Sequence, residues 1–270
     1  MIYLRDAQWT HGPCPTGHRG GKFRKAGGTG EKAGTTDSTR QIEGTDGTRI
    51  MDDFQKMKVT IVYDNEVSSK GLQADWGFSC VVEIENAPKI LFDTGADGEI
   101  LLSNMAKLHI DPQRFDKVFI SHSHFDHIGG LPAFLKVNND VKVFVPVSVS
   151  GTAYVAWEIT RVKEPVQIYE GVFSTGEIDG IEQSMAIKTK RGVVLIVGCS
   201  HPKMTHILRE ASQFGNIYGV IGGLHGFKQF DLFNDFSLIC AAHCTQNKKQ
   251  LRSLYPDKYI DGGVGKIIMI

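Results

Sequence analysis

The chain has 270 residues, 41% of them hydrophobic and 22% charged, and its 30 basic and 30 acidic side chains cancel. That is ordinary globular composition with room for one large domain, and zero net charge gives no overall field to gather nucleic acid or anionic lipid. The five cysteines (Cys14, Cys80, Cys199, Cys240, Cys244) include no close CxxC pair, no run approaches the length of a membrane helix, and no apolar core follows MIYLRDAQWT, so a reduced, cytoplasmic protein without a membrane partner is expected.

Residues 1 to about 50 are rich in Gly, Thr, Lys and Arg and lack apolar periodicity. Such a segment cannot bury enough surface to offset its chain entropy, and it reads as a disordered extension. The ordered domain is expected over residues 57–270, starting at the β-branched run KVTIVYD, with GFSCVVEI and KILFDTG as two further strands. DGEILLSNMAKLHI carries apolar residues at helical spacing, with Asp97 at its start. KVFIS is a strand that leads into SHFDHIGG, GGLPAFLK suits a short helix, and DVKVFVP is another strand, while residues 150–190 hold short β-like pieces without clear limits. GVVLIVGCSHP, IYGVIGGLHGF and SLICAAHCT each read as a strand running into a histidine. KMTHILREASQF, with Pro202 near its first turn, and QNKKQLRSLYP read as helices, and KYIDGGVGKIIMI closes with β structure.

His122, His124, Asp126 and His127 form His-x-His-x-Asp-His, three of the chain's 10 histidines within six positions. Imidazole and carboxylate are the ligands that Zn²⁺ and related divalent ions favour. Four such groups are too many for one catalytic ion that keeps an open position, and they fit two ions completed by distant residues. His201, His243 and, as ligand or substrate-facing group, His225 stand at later strand exits. Asp93, at the end of KILFDTG, is placed to accept the free N–H of a ligand histidine. Asp126 is the candidate catalytic group, able both to bind metal and to accept a proton from an attacking water. His109, on the apolar side of the first helix, reads as structural, and His206 as structural or exposed. His11 and His18 fall in the extension. Cys199 and Cys244 are of a type that could bind metal, but each sits beside a histidine in a short turn where both rarely reach one ion, and they read as small buried residues.

FDTG, SHSHFDH, GCSH and HCT, in that order, resemble the metallo-β-lactamase superfamily over about residues 57–270. The resemblance implies an αββα sandwich with a metal site along one edge. VYDNEVSSKGLQADWGFSCVVE, IEQSMAIKTKRGVVLIVGCSHP, VIGGLH and HCT further resemble a branch of metal-dependent hydrolases that includes dihydropterin-6-methyl-4-(β-D-ribofuranosyl)aminobenzene 5'-phosphate synthases. In that branch the GGxH histidine stands where many relatives have a bridging aspartate, which implies a ligand role for His225. Two features depart from the branch: Gln246 replaces a glycine after His-Cys-Thr, and the stretch from His225 to His243 is short.

The first functional expectation is a metal-dependent hydrolase with two divalent ions, Zn²⁺ first and Mn²⁺ or Fe²⁺ as alternatives. Its substrate would be a small phosphate ester, lactone or thioester. The second is a transferase joining a dihydropterin methyl diphosphate to an arylamine ribose phosphate. The third is a metal-binding sensor without turnover. A nucleic-acid-processing role would have only the basic extension to serve it, and the expected partner is a small molecule. Asp64 to Trp76 and residues 150–180 are the loops expected to set specificity.

Overall fold

A computed structural model of the chain describes residues 56–149 and 158–270. The extension read over residues 1 to about 50 and the segment 150–157 lie outside these, as do Cys14, His11 and His18.

Two seven-stranded mixed sheets form the frame. The first contains β1 (Met57–Tyr63), β2 (Ser79–Ile84), β3 (Ile90–Phe92), β4 (Lys117–Phe119), β5 (Lys142–Pro146) and β6 (Glu158–Val162). The second contains β7 (Val166–Tyr169), β8 (Val172–Ser174), β9 (Met185–Thr189), β10 (Gly192–Val197), β11 (Ile217–Gly223), β12 (Leu238–Ala242) and β13 (Tyr259–Asp261). The last strand, β14 (Ile267–Met269), returns to pair with β1, so the first sheet runs β14-β1-β2-β3-β4-β5-β6 and the second β13-β12-β11-β10-β9-β8-β7. Each sheet has three antiparallel and three parallel pairings, the antiparallel ones running from β14 to β3 in the first sheet and from β10 to β7 in the second.

Period-2 alternation explains why these strands read as continuous apolar runs. In β10, Val194 and Ile196 face the other sheet, while Val193, Leu195 and Val197 face the helices outside. In β12, Leu238, Cys240 and Ala242 point inward, and Ile239 and Ala241 outward. From the first sheet, Val59, Ile61, Phe92, Phe119 and Phe144 enter the same central layer. A strand covered on both faces has no polar side to show.

Helices cover both outer faces. α1 (Gly98–Lys107) and α3 (Leu131–Val137) bury Leu101, Met105, Phe134 and Leu135 against the first sheet. α4 (Met204–Ser212) and α5 (Lys248–Leu254) bury Met204, Ile207, Ala211 and Leu251 against the second. This is the αββα sandwich. Asp97 caps α1, its Oδ1 accepting the Glu99 and Ile100 N–H groups at 2.7 and 3.1 Å.

One local expectation changes. His109 is not on the apolar side of α1: the helix ends at Lys107, and His109 follows as an exposed residue with φ +56°, turning the chain out of the helix. Pro202 lies near the first turn of α4, as expected, directly before its cap Lys203. The unplaced region resolves into β6 to β9, which are three to five residues long and only partly buried.

Candidate metal centre

β3, β4, β10, β11 and β12 release their chains at one edge of the sandwich. The residues that turn there are Asp93, Ser200, His225 and His243, with φ of +52°, +59°, +43° and +47°. A non-glycine residue in this region costs about 1–3 kcal/mol and persists only where the surroundings fix it. After β4 the chain makes a one-turn helix, α2 (Phe125–Ile128), that carries Asp126 and His127. Gly129 and Gly130 let this turn lie on the exit of β3: a Cβ on Gly130 would stand 2.2 Å from the Thr94 carbonyl oxygen, and one on Gly129 2.3 Å from that of Ala96. The Thr94 N–H donates to the His127 carbonyl at 2.8 Å and locks the two together.

Six histidines and one aspartate converge. The His122 ring centroid is 4.6 Å from that of His124, 4.1 Å from His127 and 4.8 Å from His201. His124 lies 4.7 Å from His201, His127 4.9 Å from His243, and His225 5.3 Å from His201. Asp126 Oδ2 stands 3.2 Å from His243 Nε2 and 3.8 Å from His127 Nε2. His206 is elsewhere, on the surface of α4, with Nδ1 3.0 Å from Asp179.

The hydrogen bonds around the rings fix their tautomers. His127 Nδ1 donates to Asp93 Oδ2 at 2.7 Å, because a carboxylate can only accept there. Ser121 Oγ donates to the same oxygen at 2.7 Å, so its lone pair is left to accept from His122 Nδ1 at 2.9 Å. His243 Nδ1 is held at 2.9 Å by Asn65 Oδ1. In all three rings the Nε2 lone pair is left facing the cluster, as in histidines that bind metal.

Burial keeps His122 and His124 below the usual imidazole range, and it lowers His201 to about 4, helped by the neighbouring His124 and His225. Neutral imidazole is the ligand form. Burial also opposes charge on His127, but Asp93 outweighs it and raises that ring. Burial works against the charge on Asp126 too, yet His243 and His127 hold its carboxyl down at about 2.

Among the described residues, His201 Nε2 and His243 Nε2 are buried without a hydrogen-bond partner; the Asp126 oxygen near His243 is close but out of line. Uncompensated polar atoms of this kind are costly. The sets His122, Cys199, His201 and His127, Cys199, His243 each have donor atoms within 4.8 Å of one another. Orphaned lone pairs, neutral rings and clustered donors fit a divalent ion.

Two buried carboxylates that sequence reasoning did not single out support this edge. Glu182 Oε1 accepts the N–H groups of Gly198, Cys199 and Ser200 at 2.9, 3.0 and 3.2 Å, and its Oε2 accepts that of His201 at 2.9 Å. Asp64 takes the His243 N–H at 3.2 Å and the Gly263 N–H at 3.1 Å. The one available signal for Glu182 is an acidic residue inside the otherwise strand-like IEQSMAI.

Cys199 and Cys244 are buried, as expected, but Cys199 Sγ stands 3.1 Å from His127 Nε2 and groups with His201, two residues away. The left-handed turn at Ser200 brings both side chains to one side, which the spacing argument did not allow for. Cys244 Sγ lies 3.3 Å from Cys199 Sγ. Gln246, the departure after His-Cys-Thr, donates its N–H to the His225 carbonyl at 2.9 Å.

The molecule is a two-sheet sandwich with helices on both faces and a histidine-rich site where its strands end. Residues 77–185 match the model of the metallo-β-lactamase superfamily. It is 25% identical, over 246 aligned positions, to the 7,8-dihydropterin-6-methyl-4-(β-D-ribofuranosyl)-aminobenzene-5'-phosphate synthase of Methanocaldococcus jannaschii, with 64% of this chain and 82% of the relative covered. It is 26% identical to an uncharacterised protein of the same organism, with 78% of this chain and all of the relative covered. Its fold matches the crystal structure of a metal-dependent hydrolase of the β-lactamase superfamily with a TM-score of 0.66 at 24% identity, over 79% of this chain and 99% of the other.

Proposed function

We propose that this chain is a metal-dependent hydrolase of a small phosphorylated molecule, working with two divalent ions, zinc first among them. The observation that carries this reading is a cleft of about 350 Å³ beside the histidine cluster, lined by His201 and His225 together with Lys203 and Lys228. Two ammonium groups next to imidazoles suit a phosphate, whose charge they draw in and hold.

His122, His124 and His201 would hold one ion, and Asp126, His127 and His243 the other, with His225, whose ring centroid is 5.3 Å from that of His201, as a further ligand. When bound, such ions supply Lewis-acid polarisation and a water acidic enough to attack at neutral pH. The chain's own groups do the rest. Asp93 and Ser121 orient His127 and His122. Asp126, ionised at neutral pH, accepts the proton of the attacking water. Lys203 and Lys228 fix the phosphate. The substrate is a small molecule; nucleic acid and membranes have no part in this reading.

A second reading, transfer of the dihydropterinylmethyl group of a dihydropterin methyl diphosphate to an arylamine ribose phosphate with loss of diphosphate, is favoured by the similarity to the synthase. Two exposed aromatics at the site suit a planar substrate: Trp76, whose ring meets His243 edge-on at 5.2 Å, and Phe125 at the start of α2.

Metal-loaded protein given a dihydropterin methyl diphosphate, with and without the arylamine ribose phosphate, separates the readings. Acceptor-independent release of phosphate or diphosphate, or turnover of simple phosphate esters, supports the hydrolase. Release that requires the acceptor selects the transferase. No release from any phosphorylated substrate by folded, metal-replete protein sinks both.

A further inference from the structure

We infer that Cys199 is a metal ligand, its thiolate shared between the two ion positions of the edge site. The inference rests on the metal-dependent reading above and adds a sulfur donor to a ligand set otherwise made of imidazole and carboxylate.

The placement of the sulfur carries the argument. Cys199 is the member common to both donor groups, His122, Cys199, His201 on one side and His127, Cys199, His243 on the other, each with its donor atoms within 4.8 Å of one another. Its Sγ lies 3.1 Å from His127 Nε2, a nitrogen whose lone pair faces the cluster because Nδ1 is committed to Asp93. Independently, His243, with its side chain wholly buried, presents an Nε2 without a hydrogen-bond partner to the same space. A buried lone pair that nothing in the protein satisfies points to a ligand there.

The backbone holds Cys199 in place. Its N–H is fixed at 3.0 Å by the buried Glu182, which also holds Gly198, Ser200 and His201. The left-handed turn at Ser200 then sends Cys199 and His201 towards the same ions. Cys244 sits behind, 3.3 Å from the Cys199 sulfur, and belongs to neither donor group.

Binding replaces the S–H bond by sulfur–metal bonds, and the thiol proton leaves to solvent with no change of oxidation state. A thiolate bridge softens the site and shifts its preference towards zinc and cobalt over magnesium or calcium.

The test is spectroscopic. Protein loaded with Co²⁺ is expected to show near-ultraviolet thiolate-to-cobalt charge-transfer absorption, which Cys244→Ser retains and Cys199→Ser loses. X-ray absorption of the unmutated zinc form is expected to show a Zn–S distance of about 2.3 Å, and it needs no variant to fold. Bound cobalt without the charge-transfer band, a band that survives Cys199→Ser, or a zinc shell of nitrogen and oxygen alone would overturn the inference and leave Cys199 a buried S–H donor to His127. Such a result leaves the hydrolase reading intact, whereas protein that binds no divalent ion sinks both. Absent turnover with sulfur at the metal sinks only the hydrolase reading.

Discussion

Glu182 and His201 are joined through the backbone: the carboxylate Oε2 accepts the His201 N–H at 2.9 Å, while Oε1 accepts the three N–H groups before it. A loop that would otherwise bury four donors is satisfied by one side chain. Glu182→Gln puts an amide N–H opposite a backbone donor. It is expected to lower stability by about 1–3 kcal/mol in urea unfolding and to weaken metal binding. An unchanged midpoint with unchanged metal content would show that the loop keeps its shape without the charge.

Asp93 accepts from both Ser121 Oγ and His127 Nδ1 on one oxygen and from the Ser121 N–H, at 2.6 Å, on the other. Asp93→Asn leaves at least one of these donors facing an amide N–H or unpaired. Metal affinity, followed by competition with a chelator, is expected to fall about 10- to 100-fold. Affinity equal to the parent's would mean that His127 is oriented by packing alone.

His122→Ala and His201→Ala are each expected to reduce the metal bound per chain, as measured by elemental analysis. His206→Ala, which removes only a surface pair with Asp179, should leave metal content unchanged. Full metal content in His201→Ala would break the proposed assembly of the first ion position.

The pH dependence of the metal-free protein follows from rings held below their ordinary value. His201 has a pKa of about 4 when folded against 6.5 when free, and His122 and His124 are shifted in the same direction. Between these values the unfolded chain binds more protons than the folded one, so stability falls as pH falls. The melting temperature of chelator-treated protein should decline as pH is lowered from about 6.5 towards 4. Divalent metal should raise the curve most at the neutral end, where the rings need no deprotonation. A melting temperature flat across this window would mean the rings are not buried neutral.

Much of the frame was legible because strands covered on both faces leave long apolar runs, as in KVTIVYD and GVVLIVG. The histidines were legible because each follows such a run. β6 to β9 were not, being only three to five residues long, and α2 spans four residues, too few to show a helical period. Glu182 and Asp64 were missed because each satisfies backbone groups distant in sequence, and nothing beside them marks that task. The reach of Cys199 was missed because it depends on a positive φ at Ser200, a residue with no bias towards that conformation strong enough to read.

The two sheets repeat one pattern of pairing, and the cluster draws on both. The loop after β4 brings four of the gathered groups, and the turns after β10, β11 and β12 bring one histidine each. Neither half alone carries the full constellation. An ion held as proposed by residues of both would act as a clasp at the edge of the central apolar layer, and its retention would report that the two halves have docked in register. During folding, tight metal capture should therefore be a late event that follows closure of the sandwich. Chelation should loosen the molecule first along the edge where the strands end and last in the apolar centre.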